Sequence, residues 1–202
     1  MDTLFEILLL IMSVVVHEVS HGYAAYYLGD PTAKLQGRLT PNPLKHIDLW
    51  GSIIIPVLFV LTRTGIVFGW AKPVPYNPYN LRNQRWGEAI VAAAGPLSNL
   101  SIALVFGLAL RFVGPLGILP DSLLSATATL VFINILLAVF NLVPIPPLDG
   151  SKILFAFLPY HMRRVREFLE RYGFMFVLIF IFFLWQFLYP VVEMVFRLIL
   201  GL

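Results

Sequence analysis

Apolar residues in this chain gather in long runs, separated by short polar stretches that are rich in proline. Three runs are long enough to cross a bilayer as helices, at about 4–28, 86–113 and 122–143. A further run begins at Gly173, and we expect Pro190 to kink or end it and to leave 191–202 at the membrane interface. The pattern predicts an all-α polytopic membrane protein with about five or six membrane segments and a three-helix core.

The apolar run at 49–61 is shorter than the others and contains Gly51 and Pro56. Its 13 residues fall below the roughly 17 that a membrane-spanning helix needs. Irregular backbone at membrane depth is tolerated where protein or water surrounds it. We therefore expect 49–61 to enter the membrane and return on the same side, as a re-entrant segment.

Positive charge marks one side of the membrane. Three polar stretches hold 12 of the 14 Lys and Arg residues: 31–48, 62–86 and 144–172. Because the positive-inside rule places such stretches in the cytoplasm, we expect all three there and the turn near 114–121 outside. The first two stretches share a side only if 49–61 returns to the side from which it started.

The composition agrees with a membrane domain. Of the 202 residues, 59% are hydrophobic and 12% are charged, against about 45–50% and about 25% in soluble domains. We treat 1–202 as a single integral membrane domain, with a core at about 4–158 and a C-terminal membrane segment at 173–202. Asp2 and Glu6 give the first apolar run an acidic flank, so we do not expect a cleaved signal peptide.

The residues that are absent also limit the chemistry. The chain has no basic patch interleaved with aromatic residues and no glycine-rich phosphate loop, so nucleic acid is not an expected partner, whereas the lipid bilayer is. It contains no cysteine, which excludes disulfides and thiolate ligands. Any metal ion must therefore be held by His, Asp or Glu.

The first apolar run contains His17-Glu18-Val19-Ser20-His21. Positions four apart share a helix face, so both imidazoles can point at one metal ion. Glu18 lies about 100° round the helix from His17, close enough to reach a water on that metal. Because ionisable side chains are costly in hydrocarbon, a functional site explains this cluster better than chance does.

A catalytic zinc site needs three protein ligands and one open position. The candidates for the third ligand are Asp149, His46, His161, Glu193 and Asp48. Asp149 is the strongest, because the prolines from Pro144 onward break the preceding helix and Gly150 permits an unusual backbone turn. The alternative is that Asp149 caps a helix beginning near Ser151, and the spacing alone leaves the two interpretations about even.

Three motifs follow one another along the chain: His17-Glu18-x-x-His21, Gly95-Pro96-Leu97-Ser98-Asn99, and Asn141-x-x-Pro144-x-Pro146-Pro147-Leu148-Asp149-Gly150. Over roughly residues 8–155 this set resembles the site-2 protease family of intramembrane metalloproteases. The chain looks like a minimal bacterial or archaeal member without PDZ or CBS domains. The resemblance implies a multi-pass protein of the prokaryotic cell membrane that binds one zinc ion through His17, His21 and Asp149.

The activity implied by the resemblance is hydrolysis of peptide bonds in transmembrane protein substrates, near the cytoplasmic face. Glu18 would be the catalytic base. Asn141 is a candidate donor to the oxyanion, with an interhelical hydrogen bond as the alternative, and Asn134 is a weaker candidate one heptad earlier. We expect Asn99 to pack the third segment against the first.

Two surface features have open interpretations. The stretch 68–76 is either an extended edge strand that pairs with an unwound substrate or a surface loop with interfacial aromatic residues. The basic run at 163–166 is either an anchor on anionic lipid or a substrate dock, and the anchor is the simpler explanation.

A metal-ion or proton transporter is the main functional alternative, since an ion in transit could use the same His, Glu and Asp side chains. A transporter is expected to show an internal repeat with paired broken helices, and the sequence has one proline-broken end and no second copy. A catalytically inactive scaffold is disfavoured because every residue of the metal motif is present.

Overall fold

A computed structural model describes residues 3–61 and 69–202 of the chain. Its eight α-helices in the described ranges are α1 Thr3–Tyr27, α2 Thr32–Leu35, α3 Ile55–Leu61, α4 Gly87–Val113, α5 Asp121–Asn141, α6 Asp149–Phe157, α7 Arg163–Ile179 and α8 Trp185–Leu200. One π-helical turn, Leu49–Ile54, leads directly into α3, and another, Phe180–Leu184, joins α7 to α8. No strand occurs among these residues, which confirms the all-α class.

Four helical stretches within the described ranges are long and apolar enough to cross a membrane: Leu4–Tyr27, Gly87–Leu116, Asp121–Asn141 and Arg163–Leu200. The first three confirm the spans expected from the apolar runs. The fourth differs in extent, because the basic and apolar parts after residue 160 join in one 38-residue stretch. The structure is that of a polytopic helical membrane protein.

The sequence predicted that Pro190 kinks or ends the last helix, and the structure shows that it does not end it. It lies inside α8, which continues to Leu200. The carbonyl that a proline displaces belongs to the residue four positions earlier. Here that residue is Gln186, at the beginning of α8 and directly after the π-helical turn, where regular α-helical bonding is already interrupted. Glu193 and Arg197 pair on this helix, as expected, at 2.6 Å.

Small residues on α4 allow the central helices to approach closely. Gly95 faces α1, and Gly107 faces Ile199 of α8, where a methyl group would collide with the isoleucine side chain. Near the second contact, Ala103 of α4 packs with buried aliphatic residues of α5 and α8 in one apolar cluster. The helix α4 therefore lies at the centre of the bundle, between α1 on one side and α5 and α8 on the other.

The three basic stretches meet at one end of the bundle. The Asp30 carboxylate accepts hydrogen bonds from the Asn77 amide at 2.7 Å and the Asn80 side chain at 2.8 Å. Arg166 lies 3.7 Å from Glu88 at the start of α4, and Lys152 lies over the ring of Tyr76. This shared end is the arrangement that the charge pattern requires, and the side of the membrane on which it lies stays a prediction.

The chain segments before and after α3 lie side by side. The Lys72 amide donates to the carbonyl of His46 at 2.8 Å, and the Trp70 amide donates to the carbonyl of Gly51 at 3.1 Å. The two ends of the stretch that contains α3 are therefore neighbours. This supports a re-entrant segment, because a helix that crossed the membrane would separate them.

Of the two interpretations of 68–76, the structure supports the surface loop. The described part of this stretch contains no strand, and Phe68 lies outside the described residues, as do Asp2 and 62–67. Its polar backbone groups bond elsewhere in the chain: Arg38 donates to the carbonyls of Lys72 and Pro73 at 2.9 and 3.3 Å. Several backbone groups of the described part of this stretch are therefore bonded within the chain itself.

Candidate metal centre

Helix α1 brings two histidines together at a buried position. His17 and His21 are one turn apart, and their Nε2 atoms are 3.1 Å from each other. Their rings meet edge to face, with centroids 4.6 Å apart. Both side chains are largely inaccessible, at 6% and 9% exposure. The helical spacing therefore does what the sequence predicted, and it points both ring nitrogens at one place.

Asp149 supplies the third donor from a separate helix. Its Oδ2 atom lies 3.1 Å from Nε2 of His17 and 3.2 Å from Nε2 of His21. The carboxylate oxygen therefore faces both imidazole nitrogens, in the place that a third metal ligand would take.

The spacing of the three donor atoms fits a zinc ion. Ligand atoms on a tetrahedral zinc, each at about 2.0–2.1 Å from the metal, are about 3.3–3.4 Å apart. The observed separations are 3.1–3.2 Å, and two nitrogens and one carboxylate oxygen are ligands that zinc accepts. Within the described ranges, these three residues form the one group of His, Asp or Glu side chains close enough to hold a metal ion.

The interpretation of Asp149 as a helix cap is wrong. Helix α6 begins at Asp149 itself, and no side-chain hydrogen bond caps it. The carboxylate points at the histidines instead. Gly150 is required for a steric reason rather than for an unusual backbone turn, since a methyl group there would collide with the backbone of Leu142 and Val143. The close approach of α6 to the end of α5 thus places the carboxylate.

The other ring nitrogen of each histidine is also engaged. His17 Nδ1 lies 2.6 Å from Oδ1 of Asn99, and His21 Nδ1 lies 2.7 Å from the backbone carbonyl of Val91, both on α4. Since an acceptor faces each Nδ1, each Nδ1 carries the proton and each Nε2 keeps its lone pair for a metal. Gly95 makes room for the rings, because a methyl group there would lie 2.5 Å from His21.

Glu18 is outside the donor triangle. Its Oε2 atom accepts a hydrogen bond from the Val74 amide at 2.9 Å, so the extended stretch after α3 contacts the side chain predicted to be the base. The side chain is half-buried. This geometry agrees with a role in proton transfer rather than in metal binding.

The remaining candidate ligands lie away from this centre. His46 is buried and its Nε2 bonds to the carbonyl of Thr40, while Asp48 caps the turn that begins at Leu49. Glu193 pairs with Arg197 on α8. Since the grouped donors include none of these side chains, nor that of His161, Asp149 is the candidate that the structure supports.

The two asparagines of α5 have different surroundings. Asn141 donates to the carbonyl of Leu137 on its own helix at 2.9 Å, and among the described residues it has no interhelical hydrogen bond of the kind considered as the alternative. Asn134 is fully buried and bonds to Asn99 at 2.8 Å. Asn141 as a catalytic residue therefore stays a prediction, and Asn134 belongs to a polar contact between helices.

Several parts of the site were not predicted from the sequence. Asn99 was expected only to pack two helices together. The carbonyl of Val91 and the amide of Val74 could not be identified, because nearly every residue carries both groups. The one available signal was the spacing in Gly95-Pro96-Leu97-Ser98-Asn99, which places Asn99 one turn from the glycine that faces the histidines.

Comparison with known proteins places the chain among peptidases. The model of peptidase family M50 matches residues 5–127 and 113–184. "Putative zinc metalloprotease YwhC" of Bacillus subtilis is 37% identical over 183 residues, which cover 87% of this chain and 78% of that protein. "Putative zinc metalloprotease Rip2" of Mycolicibacterium smegmatis is 32% identical over 170 residues, which cover 84% of this chain and 63% of that protein. No solved structure matches the chain.

Proposed function

The chain belongs to peptidase family M50, and on that premise we propose that it is an intramembrane zinc endopeptidase that cuts transmembrane helices near the cytoplasmic face of a prokaryotic cell membrane. The membership confirms the resemblance of the three sequence motifs to the site-2 proteases. It also makes the chain a zinc metalloprotease of the membrane. The observation that carries the proposal is the convergence of His17, His21 and Asp149 at 3.1–3.2 Å.

Metal binding and proton transfer are carried out by different residues of the site. Zinc, when held by His17, His21 and Asp149, lowers the pKa of a water and polarises the scissile carbonyl. Glu18 accepts the proton of the attacking water and passes it to the leaving amine. The Val74 amide, 2.9 Å from Glu18, fixes the direction of that carboxylate.

The depth of the centre supports cleavage close to one membrane face. His21 and His17 lie six and ten residues before the end of α1 at Tyr27, which corresponds to about 9 and 15 Å along the helix. That end of α1 carries the basic stretches, which the positive-inside rule assigns to the cytoplasm. A substrate helix must open there, since its carbonyls are otherwise bonded within the helix.

The test of the proposal is Glu18→Gln. Because Glu18 is not among the donor atoms, the purified variant should keep its zinc, and because it lacks the base, cleavage of a model transmembrane substrate should fall by about 10²–10⁴-fold. Elemental analysis and a gel-based cleavage assay measure the two effects. Cleavage near the wild-type rate would contradict the protease and would favour an ion carrier.

Asn141 is proposed as a donor to the substrate carbonyl or the developing oxyanion. It is half-buried at the end of α5, eight residues before Asp149, and its Nδ2 donates to the carbonyl of Leu137 on its own helix. Asn141→Ala should retain zinc and expression while turnover falls by about 10²–10³-fold. Asn134→Ala is the comparison on the same helix, and equal losses of turnover in the two variants would indicate helix packing instead.

A further inference from the structure

We propose that Asn99 and Asn134 are positioning residues that orient the His17 imidazole from two neighbouring helices. Asn99 Oδ1 on α4 accepts from His17 Nδ1 at 2.6 Å, and Asn99 Nδ2 donates to Asn134 Oδ1 on α5 at 2.8 Å. The three side chains form a continuous line across α1, α4 and α5. The proposal rests on the metal centre of the proposed function but not on the peptidase reaction.

The direction of every hydrogen bond in this line is fixed. The amide of Asn134 donates to the hydroxyl of Ser13 at 2.9 Å and to the carbonyl of Leu130 at 2.9 Å, so its Oδ1 is left to accept from Asn99. The Ser13 hydroxyl in turn donates to the carbonyl of Leu9. With Asn99 Nδ2 committed to Asn134 and to the Ser13 carbonyl, Asn99 Oδ1 faces His17 as an acceptor.

This direction selects the histidine tautomer. An acceptor beside Nδ1 stabilises the imidazole with its proton on Nδ1, and the lone pair of Nε2 then points at Asp149 and His21, where the metal belongs. Partners of this kind raise the affinity of a metal site, typically by 10–100-fold. Asn99 therefore acts on the metal through His17.

Helix packing alone explains the line less well. Asn99 and Asn134 are fully buried, and a carboxamide in hydrocarbon is costly unless all its groups are bonded. The neighbouring ligand His21 is oriented by a backbone carbonyl, that of Val91, without any polar side chain. His17 is instead oriented by the side chain of Asn99, and Asn134 holds Asn99 in place.

The first experiment reads the His17 hydrogen bond directly. The chain has only four histidines, so the zinc-loaded protein labelled with 15N-histidine in detergent gives a spectrum in which the Nδ1–H signals of His17 and His21 can be assigned. In Asn99→Leu the His17 signal should move and exchange rapidly with water. The His21 signal should stay unchanged, because its partner is the Val91 carbonyl, and it serves as the internal reference.

The second experiment separates hydrogen bonding from packing. Asn99→Leu keeps the number and branching of the side-chain heavy atoms and removes the acceptor, so the zinc dissociation constant measured by chelator competition should rise by about 10–100-fold. Asn99→Asp keeps an acceptor for Nδ1 but loses the amide that donates to Asn134, so the rise should be smaller than that of Asn99→Leu and no larger than that of Asn134→Leu. Asn134→Leu should give a rise smaller than that of Asn99→Leu, and Ser101→Ala, which removes an exposed hydroxyl on the same helix, should give none.

These measurements decide the proposal without reference to proteolysis, since all variants are made in the Glu18→Gln background. Unchanged zinc affinity and an unchanged His17 signal in Asn99→Leu would overturn it. Should Asn99→Leu fail to fold, the comparison of Asn99→Asp with Asn134→Leu decides instead. Weaker zinc binding in Asn99→Asp than in Asn134→Leu would then show that packing, rather than the acceptor, matters at this position.

Discussion

The two sides of the metal centre are held in place by different means. On the bundle side, His17 and His21 are bonded to α4 by Asn99 and Val91, all of them buried between helices. On the other side, Glu18 is bonded to the amide of Val74, in a stretch without regular secondary structure. The proposed ligands of the metal are therefore held by partners on a long helix, whereas the predicted base is held by a partner on a loop.

The bundle side should be the more sensitive to substitution. His21→Ala removes one of three donors and should lower the zinc content from about one ion per chain to well below half, with loss of cleavage. His161→Ala is the matched control, because that histidine is exposed and outside the donor group. Elemental analysis of the detergent-purified proteins measures the difference. Full zinc in His21→Ala would remove this residue from the ligand set.

The other side should show a smaller effect, confined to turnover. Val74→Pro removes the N–H that Glu18 accepts, in a stretch where prolines already occupy positions 73 and 75. A hydrogen bond to a charged group contributes about 1.5–3 kcal/mol, so the cleavage rate should fall by about 10–100-fold with zinc unchanged. Val74→Ala keeps the N–H and is the control. Equal rates for the two variants would show that this bond does not direct Glu18.

The smallest effect should come from Asp30, whose carboxylate holds the loops around the stretch that contains Val74, and it should appear in stability rather than in turnover. Burial raises the pKa of the Asp30 carboxyl, but hydrogen bonds from Thr32, Asn80 and Asn77 outweigh it, and the net direction is downward. Because the pKa of Asp30 is lower in the folded state, its carboxylate stabilises the fold fully at pH values above the unfolded-state pKa of about 3.9. This stabilisation is lost as the pH falls through the folded-state pKa.

This pH dependence can be measured by thermal unfolding in detergent. Asp30→Asn should lower the free energy of unfolding by about 1–3 kcal/mol at pH 7 and should flatten its decline on acidification. Asp121→Asn is the control, since that aspartate is exposed at the first residue of α5. Identical acid profiles for wild type and Asp30→Asn would show that the carboxylate does not tie α1 to the following loops.

The same contrast explains how much the sequence could predict. His17, Glu18 and His21 lie within one helical turn or so, and local spacing fixes their geometry. Asp149 was reached through a long motif, although spacing alone could not separate a ligand from a cap. The three long early spans followed from length and hydropathy, which depend on the chain itself rather than on tertiary contacts.

The remaining features arise from contacts between distant residues. Asn99 lies 82 residues from His17 and Val74 lies 56 residues from Glu18, so no local pattern relates them. The continuation of α8 through Pro190 depends on the preceding π-helical turn, where regular bonding is already interrupted. The sequence left 68–76 open between a strand and a loop, and the backbone contacts of 46–52 favour the loop.

The origin of the three ligands has a consequence for the lifetime of the protein. His17 belongs to α1 and Asp149 to α6, 132 residues later, so an ion bound between them joins two distant parts of the chain. A ligand that binds only the folded state adds about 4 kcal/mol of stability at a thousandfold excess over its dissociation constant. We therefore expect a chain deprived of zinc to unfold more readily, and to be removed sooner by cellular quality control.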